Sequence, residues 1–373
     1  MYVIYENFEN AEICDNGTDT VGVEGFLIAC EKEKKMLKNK FFEKKFNNLF
    51  VAGCIIFFIF FLLCTSCVLE NEYSISSDVS LATWNVQTFF DGNDDGIEYS
   101  EFRNKKFEWN EQKYIKRLDN LCKIIEQIDS DIFVMQEVEN EKILFDISNR
   151  LSHNSWNQNK VYKYSTFSKN ENSSIGVAVL SRLKILDIKT HFIDIKNENI
   201  KNPSMRPILE VLLEGKNKNI RLFVNHWKSK SGGCEVTNVW RDYQENLLAN
   251  NFVKKSNNEI LVACGDFNKD LSEFYRDEND KIFLQKFTLE DNRSYVYSPW
   301  DDYYNKSFGS YYYKNNWEKI DHIFVEDKKF VKEFSVVQFQ ELFTEDGKPF
   351  AYLIYRDTGI SDHLPLYCVI NAE

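Results

Sequence analysis

The chain has 373 residues, of which 43% are apolar and 15% aromatic. That supplies a large core for a single α/β domain, which can reach roughly 250–300 residues. A formal charge of −12 excludes a surface coated with basic residues for non-specific nucleic-acid binding, although a local basic groove around a metal stays open. Cysteines Cys122, Cys234, Cys264 and Cys368 of the body show no zinc-type spacing.

Residues 1–35 are acidic and carry no assignable pattern. Seven lysines lie between Lys32 and Lys45, and an apolar run follows over residues 49–65. Such a run is at the short limit for spanning a bilayer, which takes ~20 residues (range ~17–25). With the lysines before it, the positive-inside rule leaves the N-terminus in the cytoplasm and everything after Cys67 outside. A second reading starts at Met36: a basic region, an apolar region, then small residues ahead of a cysteine, the layout of an export signal. Leu63-Cys64-Thr65-Ser66-Cys67 resembles a loose bacterial lipobox, with Cys64 where leucine is usual, and Cys67 would then be lipidated. Both readings expect a monomeric body attached to a membrane on the extracytoplasmic side, in the periplasm or at the surface of a bacterium. The chain thus divides into 1–48 (cytoplasmic, signal n-region or over-called start), 49–67 (transmembrane anchor or lipoprotein signal) and 78–373 (the body). Cys64 and Cys67 form C-x-x-C, but in too apolar a setting for redox work.

Past a polar linker, residues 79–86 read as a strand ending in Trp84-Asn85, followed by a polar, acidic loop through Glu101. Residues 111–128 read as a helix, because Ile115, Leu118, Leu121, Ile125 and Ile128 recur at helical spacing. A buried strand over 131–138 ends in Glu137, and further strands are expected at 175–181 and 185–195. Residues 207–213 and 220–225 form a strand pair across a Gly-Lys-Asn-Lys turn, the second strand ending in His226. A helix over 240–253 leads into Glu-Ile-Leu-Val-Ala-Cys-Gly-Asp-Phe-Asn, residues 259–268. Its apolar run, Ile260 to Cys264, suits a strand buried on both faces. Period-2 geometry then puts Asp266 and Asn268 on one side and turns Phe267 away. The tyrosine-rich residues 294–316 read as an irregular surface loop, and strands at 320–325 and 366–370 close the chain. Adjacent strand pairs among alternating strands and helices predict mixed sheets.

Polar residues recur at these strand ends: Asn85, Glu137, His226, Asp266 with Asn268, Asp321, and Asp362-His363. A structural account requires none of them to be ionisable there, and strand ends are where α/β folds assemble sites. Trp84-Asn85, Gln136-Glu137, Gly265-Asp266-Phe267-Asn268, Ile320-Asp321 and Ser361-Asp362-His363-Leu364-Pro365 stand in the order found in the endonuclease/exonuclease/phosphatase superfamily, which the chain resembles from about Leu81 to Val369.

The resemblance implies a four-layer α/β sandwich of two packed mixed β-sheets flanked by helices. It also implies a Mg²⁺-dependent phosphodiesterase, with Mn²⁺ able to substitute. Glu137, Asn85 and Asp362 would hold the cation, whose hardness suits oxygen ligands. Asp266 would orient or deprotonate the attacking water, and Asn268 would hold a phosphate oxygen. His363 would be the catalytic histidine, oriented by Asp321. His226 would act as an acid or a donor to developing charge, and Arg206 would contact phosphate. The position two after Asn85, acidic in some apurinic endonucleases, is Gln87.

Substrate choice rests on local features. Asn225-His226-Trp227-Lys228-Ser229-Lys230 resembles a segment of secreted bacterial nucleases of the superfamily, and Lys228 and Lys230 would neutralise neighbouring phosphates of a nucleic acid. The tyrosine run over 303–313 with Trp317 offers surfaces for base stacking. A membrane-attached nuclease is therefore expected, with a sphingomyelinase-like or inositol-phosphate-type phosphoesterase as the alternative.

Overall fold

A computed structural model describes residues 76–373 apart from 155–159, 172, 194–204 and 288–292. The apolar segment 49–67 and Cys67 lie outside the described residues. Among the described residues, no helix is long and apolar enough to cross a membrane.

Two mixed sheets form the body. The first runs in the order β14 (Val331–Val336), β15 (Leu366–Asn371), β1 (Asp78–Phe89), β2 (Ile132–Val138), β4 (Gly176–Ser181), β3 (Tyr164–Ser168). The second runs β13 (Asp321–Val325), β8 (Glu259–Asp266), β7 (Asn219–His226), β6 (Ile208–Leu213), β5 (Ile185–His191). Only β1–β2 in the first and β7–β8 in the second pair in parallel; the other neighbours are antiparallel. A separate short pair, β9 (Phe283–Leu284) with β10 (Ser294–Tyr295), lies between β8 and β13 in the chain. The sheets face each other through β1, β2 and β4 on one side and β7 and β8 on the other. Their inward residues, such as Val134, Val179, Val224 and Val262, belong to one continuous apolar core.

Helix α1 (Glu111–Ile128) starts where Asn110 caps the amides of Gln112 and Lys113, and ends at Asp129 in a left-handed conformation. Of the expected stripe Leu118, Leu121 and Ile125 are buried, joined by Tyr114, whereas Ile115 is 39% exposed and belongs to the outer face. Helix α2 (Glu141–Asn154) buries Ile143, Leu144, Ile147 and Leu151 in the same core. Helix α3 (Cys234–Asn251) leads into β8 and starts six residues earlier than its apolar pattern suggests.

The tyrosine-rich region departs from the expected surface loop. Trp300 and Tyr303 are buried in the main core, and a short hairpin, β11 (Tyr311–Tyr313) with β12 (Asn316–Glu318), projects beside the sheet ends. Only some of its rings are exposed, Tyr304 and Tyr313 among them. The polar residues between these aromatics hide any periodicity of the buried rings, so the segment reads as surface throughout.

Candidate active site

The topology brings the polar strand ends to one edge. In the second sheet, β7 runs parallel to β8 with His226 opposite Asp266, and β13 runs back against β8 with Asp321 opposite Asp266. In the first sheet, Asn85 of β1 lies opposite Gln136 of β2. Asp266 is therefore flanked by His226 and Asp321 through backbone register alone. Gly265 makes this approach possible: its φ is 128°, and an added Cβ would lie 2.0 Å from the Asn225 carbonyl.

Backbone irregularity aims the remaining groups. The β1–β2 register shifts between Asn85 and Phe89, and the β2–β4 register shifts between Gln136 and Val138, so Glu137 sits on a bulge. Gln87, Thr88, Glu137 and Asn268 all have positive φ. Each such residue costs on the order of 1–3 kcal/mol, and clusters of this kind persist where the surroundings over-determine them. Arg117 supplies much of that constraint. It is buried in α1, donates to the carbonyls of Val86, Gln87 and Thr88, and lies 4.0 Å from the Tyr352 ring centroid.

The side chains form a connected set. His363 Nδ1 is 2.8 Å from Asp321 Oδ2, which also accepts the Ser310 hydroxyl at 2.6 Å. The Asn85 amide bridges Glu137 Oε1 at 3.3 Å and Asp266 Oδ2 at 3.0 Å. Asp266 accepts the Asn268 backbone amide at 2.8 Å and its side-chain amide at 3.1 Å, so the two side chains share one side as predicted. Phe267 turns away to pack on Trp227. His226 Nε2 lies 3.7 Å from Glu137 Oε1 and 3.6 Å from Asp266 Oδ2. The loop carrying His363 is fixed by Ser361, which donates to the Asn85 carbonyl at 2.6 Å, and by Trp84, which donates to the His363 carbonyl at 2.9 Å.

Burial and charge shift the groups in different directions. Burial, and then the neighbouring Asp321 charge, raises the Asp266 carboxyl above its ordinary range. Asp362 is raised chiefly by burial, with Glu137 adding to the effect. Burial opposes a proton on His363, yet the Asp321 carboxylate hydrogen-bonded to it holds the imidazole well above its ordinary value. His226 goes the other way: burial, then the charges of Arg206 and His363, lowers it. The two histidines are thus pushed in opposite directions, His363 toward the charged and His226 toward the neutral form.

Of the expected residues, Asn85, Glu137, His226, Asp266, Asn268, Asp321, Asp362 and His363 converge. Arg206 lies at the margin, donating to the Trp227 carbonyl at 3.4 Å and acting on His226 through its charge. Lys228 is partly buried, and burial, followed by Arg206 and Arg241, lowers its ammonium. Lys230 is engaged elsewhere, 2.7 Å from Glu273 and 4.0 Å from Glu318. Sequence reasoning placed Tyr311 only in a base-stacking run, whereas its ring packs on His363 at 4.6 Å, and it missed Ser310 and Arg117. Arg117 had a legible signal, a charged residue inside the α1 apolar stripe three positions after Tyr114.

A divalent cation fits this donor set. Asp266, Asp321 and His363 place ligand atoms within 4.8 Å of one another, and Asp321 Oδ1 is buried without a hydrogen-bond partner. Glu137 and Asp362 add carboxylate oxygens, and no described cysteine belongs to the set, which suits a hard cation. His363 spends Nδ1 on Asp321 Oδ2, so the two form a dyad that still leaves Asp321 Oδ1 and Asp266 for a cation.

Comparison with known proteins agrees with the geometry. Residues 80–372 match the model of the Endonuclease/Exonuclease/phosphatase family. No curated protein sequence matches significantly. Among solved structures, truncated Caenorhabditis elegans TDP2 is 15% identical, with a TM-score of 0.50 over 79% of this chain and 98% of that one. An endonuclease/exonuclease/phosphatase family protein from Leptotrichia buccalis is 16% identical, with a TM-score of 0.48 over 78% and 99%. The human Nocturnin catalytic domain with bound sulfate is 16% identical, with a TM-score of 0.48 over 79% and 95%. The TDP2 likeness concerns the fold alone, whereas the family match spans nearly all of the described body. The chain belongs to the endonuclease/exonuclease/phosphatase family, whose named activities are all phosphoester hydrolysis.

Proposed function

We propose that the domain is a Mg²⁺-dependent phosphodiesterase that cleaves nucleic acid. The observation that carries the chemistry is the buried His363–Asp321 pair set across from Asp266 and Asn268. A divalent cation held by Glu137, Asn85 and Asp362 would polarise the phosphoryl group and acidify bound water. Asp266, with its raised carboxyl, is suited to accept a proton from the attacking water. Asn268 and the charged His363 would donate to phosphoryl oxygens as negative charge grows. Asp321 keeps the His363 ring oriented and charged for that task. His226, held neutral, would donate a hydrogen bond beside Glu137 and Asp266 without adding a competing cation.

A polymeric substrate is supported by Lys228 and Arg206 at the margin and by the exposed Tyr313 on the hairpin next to Tyr311. The Lys230–Glu273 pair favours a smaller phosphoester, because it removes one cation from a phosphate track leading away from His226. Side-by-side assay of the purified protein with Mg²⁺ on plasmid DNA, RNA, sphingomyelin and phosphoinositides decides between them. Turnover of nucleic acid alone supports the proposal; turnover of lipid alone replaces it.

We also propose that the enzyme is held outside the cytoplasm by residues 49–67 or by a lipid on Cys67, on the strength of the lysine flank and apolar run. Mass spectrometry of membrane-extracted protein tests this. An intact segment or a lipidated N-terminal Cys67 supports it, and recovery of the full chain from the soluble cytoplasmic fraction overturns it.

A further inference from the structure

Between β1 and α1, residues 91–98 read Asp-Gly-Asn-Asp-Asp-Gly-Ile-Glu. Asp91, Asn93 and Asp95 at alternate positions, followed by Gly96, reproduce the D-x-N-x-D-G spacing of loops that wrap calcium with oxygen ligands. Spacing of this kind is common in acidic turns and is not a site on its own. What the fold adds is Glu139, delivered from the far end of β2. Carboxylate oxygens of Asp95, Glu98 and Glu139 lie within 4.8 Å of one another. Glu139 is only 1% exposed, and its Oε2 accepts the Asp91 amide at 2.7 Å. Its other oxygen, Oε1, is buried with no hydrogen-bond partner.

An unpartnered carboxylate oxygen buried beside further carboxylates is costly unless something positive meets it. Asp91, also buried, adds its charge, and Lys142 offsets it only from 3.9 Å and a half-exposed position. We propose that this loop and Glu139 form a Ca²⁺ site distinct from the catalytic centre, with Asp95, Glu98 and Glu139 as carboxylate ligands. Ca²⁺ is favoured over Mg²⁺ because an all-protein cage of several carboxylates suits an ion taking ~6–8 oxygens, whereas Mg²⁺ keeps its waters.

The site would position the catalytic edge. Glu139 follows Glu137 by two residues, and the loop continues into Tyr99, whose phenol lies within the influence of the Arg206 charge. A cation joining the loop to the end of β2 would hold Tyr99 against Arg206.

Terbium luminescence tests this on the full chain in detergent. The Trp109 indole donates to the Asp91 carbonyl at 2.6 Å, so it would sensitise a lanthanide bound there. We expect saturable sensitised Tb³⁺ emission, displaced by Ca²⁺ but not by equimolar Mg²⁺. Ca²⁺ at 100 times its Kd should raise Tm by about 5 °C. Asp95→Asn, at an exposed position that leaves folding intact, and Glu139→Gln should each weaken Tb³⁺ binding at least ~10-fold. Glu137→Gln should leave it unchanged. No saturable emission, emission untouched by Asp95→Asn, or emission abolished by Glu137→Gln would each overturn the proposal.

Discussion

Gln87 Oε1 accepts the backbone amide of Asp362 at 3.1 Å, tying the bulge of β1 to the loop that carries His363. The same oxygen accepts the Tyr352 amide at 2.7 Å, and the Gln87 amide returns a bond to the Tyr352 carbonyl at 3.2 Å. A position that reads in the sequence as a missing carboxylate is thus a neutral fastener between two segments. Gln87→Ala should strand partly buried amides at about 1–3 kcal/mol each, lowering Tm by roughly 5 °C and turnover with it. Gln87→Glu keeps an acceptor for both amides and should recover most of the Tm. Equal melting of the alanine variant and the wild type in calorimetry would show that the loop holds its place without Gln87.

The His363–Asp321 pair should behave as one unit. His363→Ala is expected to lower kcat by ~10²–10⁴-fold on every substrate, the usual scale for losing a group that transfers or holds a proton. Asp321→Asn should cost a similar order, since the ring loses both its orientation and the charge that keeps it protonated. The double variant should be little worse than His363→Ala alone, because groups that act as a unit are non-additive. Steady-state kinetics on bis(p-nitrophenyl) phosphate measure all three. Additive losses would mean that Asp321 acts separately, for example on the cation.

Activity should vanish with EDTA and return with Mg²⁺ or Mn²⁺. Glu137→Gln should raise the Mg²⁺ concentration required, because one charged oxygen is removed from the bulge of β2. Titration of activity against Mg²⁺ measures the shift. Restoration by Zn²⁺ alone would contradict the assignment to hard oxygen donors.

His322 gives the fold a pH dependence away from the cleft. Its ring is buried against Phe324, stacked at an interplanar angle of 14°, with Nε2 at 2.8 Å from the Lys269 carbonyl. Burial pushes its pKa down to about 4. The unfolded chain takes up this proton near its ordinary 6.5, so between those values the unfolded state binds more protons. Stability is therefore intact above pH 6.5 and falls as pH drops toward 4, by up to about 3 kcal/mol from this group. Urea midpoints at about pH 7.5 and about pH 5 should show a smaller difference for His322→Phe than for wild type. The same difference in both would place the dependence in other groups.

Much of the site is legible in the sequence because its residues end short hydrophobic strands. Ile260 to Cys264 can only be a buried strand, and its end dictates where Asp266 and Asn268 must sit. Tyr311 and Ser310 are not legible, since their role comes from a hairpin remote in the chain from His363 and without apolar periodicity. Helix α2 escapes notice for another reason: its apolar residues, Ile143, Leu144 and Ile147, are few and follow directly on a strand. The Lys230–Glu273 pair is invisible to local patterning altogether, because β8 separates its partners.

That pair separates the two lysines of the segment after His226. Lys228 has no ion pair among the described residues, is half-buried near Arg206, and has its ammonium pKa lowered by burial and by neighbouring positive charge. A nearby phosphate would relieve that situation. Lys228→Ala should therefore weaken nucleic-acid cleavage and reduce the slope of log K against log salt by roughly one, because one fewer phosphate is neutralised. Lys230 already has a carboxylate at 2.7 Å, and both partners remain about a third exposed. A surface pair of this type contributes ~0–1 kcal/mol, and its net field at a distant phosphate is small. Lys230→Ala should change neither cleavage nor salt slope by more than about twofold. Hydrolysis of bis(p-nitrophenyl) phosphate should stay nearly constant in both variants. If Lys228→Ala reduced the small substrate as much as the polymer, Lys228 would belong to the reacting phosphate and the nucleic-acid assignment would lose its main support. If it affected neither, a lipid or small phosphoester would become the better reading of the site.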